Sequence, residues 1–89
     1  MNKKKRKELS VIEERLAKVR DELDYIKSDL EYVLTDEEDT LSNMESFSGT
    51  DRYAAIEEAV SNMSDAVSSL EDAIDNMDGA IVSVGSAQE

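Results

Sequence analysis

The side chains in this chain that most invite chemistry are carboxylates. Asp72, Asp75 and Asp78 recur three residues apart, Asp36, Glu37, Glu38 and Asp39 form an unbroken acidic run, and Glu57, Glu58, Asp65 and Glu71 extend the same character. Such groups can hold a divalent cation, carry a proton or imitate a phosphate backbone. A cation site is disfavoured by spacing, because three-residue steps drift around a helix and the calcium loop with its central Gly is missing. Phosphate mimicry is weakened by density, since duplex phosphates recur far more closely than these carboxylates. Among the cations, Arg15, Arg20, Lys27 and Arg52 are the candidate contacts for a small anionic ligand. The run Lys3-Lys4-Lys5-Arg6-Lys7 could bind phosphate, but in a chain of net charge −12 it reads as an exposed start that neutralises acidic neighbours. Direct duplex nucleic-acid binding is not expected. Ser61, Ser64, Ser68 and Ser69 have no base beside them and carry no nucleophilic signal.

Composition narrows the function classes further. The 89 residues include no Cys, His, Trp or Pro. That excludes a disulfide framework, ordinary zinc and haem ligation, a thiolate nucleophile and an imidazole base. The expectation is a protein that is not an enzyme and has no cofactor or metal. An apolar fraction of 39% with 36% charged residues suits a helical pair or coiled coil better than simple disorder. No apolar run is long enough to span a membrane, and the basic start passes directly into Glu8 with no targeting stretch behind it. Both observations point to a cytoplasmic protein.

The elements that must position these residues follow from periodicity. Leu9, Ile12, Leu16, Val19, Leu23, Ile26, Leu30 and Val33 alternate steps of three and four, as do Ile56, Val60, Met63, Val67, Leu70, Ile74, Met77, Ile81 and Val84. Between them lies Glu45-Ser46-Phe47-Ser48-Gly49-Thr50-Asp51, whose Gly and short polar residues favour a turn. The spacing predicts one helix over about 4–44, a connection over 45–50, a second helix over 51–84 capped by Thr50 or Asp51, and a frayed tail over 85–89. Pairing Leu9 with Val84, Leu16 with Met77 and Val33 with Val60 keeps the residue numbers summing to 93, with the fold point in the Gly-containing break. The predicted fold is therefore all-α, a single antiparallel two-helix coiled-coil hairpin. Residues 1–20 carry eight basic and three acidic side chains, whereas nineteen acidic and two basic ones follow. Folding back is expected to set the basic start beside the acidic end, with Arg15 and Arg20 near Glu71, Asp72 and Asp75.

One seam does not consume all the apolar residues. Ala59, Ala66, Ala73 and Ala80 recur one step before seam positions of the second helix, and Val11, Tyr25 and Tyr32 share a phase on the first. Heptad angles assign both sets to one flank, where small Ala side chains admit another helix and Tyr rings border the contact. Self-association into a four-helix bundle or higher oligomer is the plainest use of that flank, and a host protein is the other.

Two resemblances accompany this pattern. Phe47-Ser48-Gly49 between two equal helices resembles the Trp-X-Gly turn of the WXG100 helical hairpins, which implies a structural or secreted hairpin exported by a specialised secretion system. Glu13-Glu14-Arg15-Leu16, Ser42-Asn43-Met44, Ser48-Gly49-Thr50-Asp51-Arg52-Tyr53, Glu57-Glu58-Ala59 and Ser68-Ser69-Leu70-Glu71-Asp72-Ala73-Ile74 resemble small acidic two-helix proteins of phages and prophages of Gram-positive bacteria. That resemblance implies a viral accessory protein in the host cytoplasm that binds and blocks a host factor, such as one of its defences. A third reading is an oligomeric sponge for a small anionic ligand, held by Arg15, Arg20, Lys27 and Arg52.

Overall fold

The computed structural model describes residues 1–89 as two long helices joined by one tight turn, α1 (Lys3–Asn43) and α2 (Asp51–Ser86), with a single 3-10 turn at Glu45–Phe47. The fold is an all-α antiparallel hairpin, a rod of 67 × 14 × 13 Å. Each helix starts at a side-chain cap. The Asn2 carboxamide oxygen accepts from the Lys5 backbone N–H at 2.8 Å, and the Thr50 hydroxyl oxygen accepts from the Tyr53 N–H at 3.2 Å. Each cap supplies an acceptor for an amide hydrogen that has no carbonyl partner within its helix. Thr50 is therefore the cap and Asp51 the first helical residue. The Thr50 hydroxyl also donates to the Phe47 carbonyl at 2.8 Å, which ties the cap to the turn. Gly49 contributes no left-handed backbone, since no residue of the chain has a positive φ. The reversal is built from 3-10 hydrogen bonds, Phe47 N–H to the Met44 carbonyl at 2.8 Å and Ser48 N–H to the Glu45 carbonyl at 3.2 Å.

The far end differs from the expected stop at 84. α2 runs through Gly85 to Ser86, and Gln88 donates to the Glu13 carboxylate and to the Val84 carbonyl. The first bond ties the tail to α1 and the second holds it to the last turn of α2.

The seam is narrow: only Val67 and Ile74, at 9% and 6% exposure, are buried. On α2 the half-buried residues Ile56, Val60, Met63, Leu70, Met77, Ile81 and Val84 complete the inward face that the spacing predicts. On α1 the inward face is rotated from the predicted one. Leu9, Leu16, Leu23 and Leu30 are half-buried, but their companions are Glu13, Arg20, Lys27 and Leu34, four residues further on, and Glu37 with Leu41 continues the two phases. Ile12, Val19, Ile26 and Val33 stay exposed at 42%, 52%, 44% and 53%. The rotation has a physical cause. It lets the Arg20 and Lys27 stems cover the seam edge while their charged tips reach carboxylates on α2.

Candidate functional site

The hairpin has two flanks of opposite character. One is closed by ionic contacts. Arg20 Nε donates to Asp78 Oδ1 at 2.9 Å, with Asp24 and Asp21 at 3.8 and 3.7 Å from its guanidinium, and Lys27 Nζ lies 3.7 Å from Glu71 and 3.8 Å from Glu31. The hydrogen bond to Asp78, then that carboxylate's charge, raises the Arg20 pKa above its ordinary value, reinforced by Asp24 and Asp21 and opposed by lost hydration. Both cross-helix ion pairs join residues whose numbers sum to 98. Helical side chains lean toward their own N-terminus, so in an antiparallel pair the tips meet between the levels of the two Cα atoms, near where the seam register of 93 places Leu16 opposite Met77.

The other flank is apolar and open. Ile12, Val19, Ile26 and Val33 form one row on α1, within one residue of level in the seam register with Ala80, Ala73, Ala66 and Ala59 on α2. Ala59, Ala73 and Ala80 are half-buried and Ala66 is exposed. Glu71 and Asp78 follow seam residues by one step and the Ala row precedes them by one, so the two sets lie on opposite sides of α2. Shallow concavities border the Ile and Val row of α1, one on its outer edge, lined by Lys4, Lys7, Glu8, Val11 and Ile12, and one along the row itself, lined by Ile12, Arg15, Leu16 and Val19.

Val11, Tyr25 and Tyr32 are not part of this flank. They precede the α1 row by one residue, about 100° round the helix. With α1 rotated, that turns them to its outer side, where Tyr25 and Tyr32 are 69% and 79% exposed. The expected pairing of the Tyr set with the Ala row is thus replaced by the Ile and Val row. The missed signal is charge complementarity: Arg20 and Lys27 stand four residues after Leu16 and Leu23, and Glu71 and Asp78 one residue after Leu70 and Met77.

The acidic residues do not form one face. Glu37 is half-buried in the inward phase of α1, while Asp36, Glu38 and Asp39 are exposed near the turn. Glu57, Glu58, Asp65, Asp72 and Asp75 are exposed without an ion-pair partner, and Glu71 and Asp78 are taken up by Lys27 and Arg20. No three Asp or Glu side chains are grouped so as to hold a metal ion. Nor do the candidate anion contacts converge. Arg20 and Lys27 face carboxylates, Arg15 borders the apolar flank, and Arg52 lines an open notch with Thr40, Asn43, Met44, Phe47 and Thr50 at the turn. From Arg15 to that notch is about 40 Å along α1 at the helical rise.

The basic start also differs from expectation. Lys3, Lys4, Lys5, Arg6 and Lys7 are exposed and make no ion pair, because the part of α2 beside them, residues 79–88, carries no charged side chain. Arg15 likewise has no carboxylate within ion-pair distance, and the partner of Arg20 on α2 is Asp78 in place of Glu71, Asp72 or Asp75. No helix is long and apolar enough to cross a membrane. No family model, no curated protein and no solved structure matches this chain.

Proposed function

We propose that the chain is a non-catalytic, self-associating binding protein of a phage or other mobile element, which modulates a host defence factor by occupying its surface. The observation that carries the self-associating part of this reading is the open apolar flank, a row of half-exposed Ile and Val beside a row of Ala on a hairpin with only two buried residues. Side chains of that kind in a continuous row favour protein contact over solvent. The outward carboxylates add a surface suited to a basic partner, and an interaction through them weakens steeply with salt. The resemblance to acidic two-helix phage proteins supplies the biological setting.

The test is production of the chain in a Gram-positive host that carries a defence system, with phage plating as the readout. Plating is expected to rise at least tenfold against one or more defences. Unchanged plating across a broad panel of defences, with the soluble chain present in each strain, would remove the inhibitory role.

A further inference from the structure

We infer that the open flank is covered by a second copy of this chain running antiparallel, so that α1 packs on α1 of the partner about a two-fold axis between residues 22 and 23. The inference deepens the self-associating part of the reading above and assigns the outer carboxylates, not the apolar row, to any further partner.

Surface area gives the first reason. The hairpin exposes 6503 Å². A compact chain of 9.9 kDa exposes about 5,200 Å². The excess of about 1,300 Å² per chain matches what one partner contributes to an obligate dimer interface.

Charge gives the second reason, and it selects the direction. Helix dipoles favour anions at the N-terminus and cations at the C-terminus. α1 has the reverse: Lys3 to Lys7 occupy its first turns, Asp36 to Asp39 lie near its end, and its first turn has no acidic and its last turn no basic residue. Neither cluster has an ion-pair partner within the chain. A second copy running antiparallel relieves both ends at once. With the axis at that level, Ile12 meets Val33 of the other copy and Val19 meets Ile26, while the basic start around Arg6 and Lys7 comes level with the acidic residues Asp39 and Glu38, because each pair of numbers sums to 45. The same axis lies within about one residue of the middle of α1 (Lys3–Asn43), so the two rods overlap over their whole length. It also lies within about one residue of the middle of the Ala row in the seam register, so the Ala rows meet each other at the same level. A parallel pair would instead set basic start on basic start and acidic turn on acidic turn.

Spin labels on Ser10→Cys test the geometry, since the position is exposed and the chain has no other Cys. The antiparallel pair places the two labelled positions about 40 Å apart along the rod, at the helical rise per residue. A separation below about 25 Å, as for neighbouring helices at one end of a parallel bundle, overturns the direction. The absence of any discrete distance in the concentrated unblended sample overturns the dimer. Charge reversal gives a second readout. Arg6→Glu with Lys7→Glu is expected to weaken self-association at least tenfold, as is Glu38→Lys with Asp39→Lys, and mixing the two variants is expected to restore it. In a parallel pair the single reversals would exchange one like-charge contact for another, so unchanged association of each variant alone contradicts the proposal. These measurements use the purified chain alone, so their outcome is independent of the plating test.

Discussion

The two flanks of one hairpin solve the same edge problem differently. On the flank of Arg20 and Lys27 the seam is sealed within the chain, by aliphatic stems over apolar side chains and by tips paired with Asp78 and Glu71. On the flank of Ile12, Val19, Ile26 and Val33 the chain supplies β-branched side chains and no polar cover. The lesson is that a heptad helix with three adjacent usable phases can spend one on its own hairpin, one on ionic closure and one on a separate contact. The ionic flank can be satisfied by the chain alone, whereas the apolar one is satisfied only by another surface.

That contrast is open to mutation, and the largest effect is expected on the apolar flank. Ile26→Glu puts a charge where an Ile side chain contributes about 1.5–3 kcal/mol on burial, twice per dimer, so self-association should fall about a hundredfold or more in sedimentation. An unchanged mass would dissolve the distinction between the flanks. Next comes the shared seam, where Ile74→Ala should cost about 2–4 kcal/mol in denaturant unfolding because the residue is 6% exposed and packs between the helices. A smaller loss would mean that the hairpin contributes little stability of its own.

Gly79 calibrates the outer surface, away from both flanks. A Cβ there meets nothing within 4 Å, and its φ lies in the ordinary range. Gly79→Ala should stabilise by about 1 kcal/mol through helix propensity, with an unchanged oligomeric mass. The smallest effect is expected on the ionic flank. Arg20→Leu removes an ion pair that solvent screens, so the melting point should move little and lose part of its salt dependence. A large loss there would show that ionic closure, and not the seam, holds the hairpin.

Much of the fold was legible before the structure. Alternating steps of three and four named two helices, the short polar residues around Gly49 named the reversal, and Thr50 was one of two candidates for the cap that it provides. The inward face of α2 was legible because its seam positions are apolar in both phases. The inward face of α1 was not. Leu9, Leu16, Leu23 and Leu30 sit between an apolar phase, Ile12 to Val33, and a partly charged one, Glu13 to Leu41, and hydropathy alone selects the first. The chain takes the second, because Arg20 and Lys27 find carboxylates there and bury their stems as they do so. The site inherited the same error. Ala59, Ala66, Ala73 and Ala80 could be assigned to a flank from α2 alone, but their neighbours on α1 depended on a rotation that apolar spacing does not specify.

The most direct measurement is sedimentation equilibrium of the unaltered chain from micromolar to near-millimolar concentration. A closed pair predicts a mass of about 20 kDa, twice the 9.9 kDa of one chain, with no further growth on concentration. A single species at 9.9 kDa over the whole range would contradict it and leave the Ile and Val row without its partner.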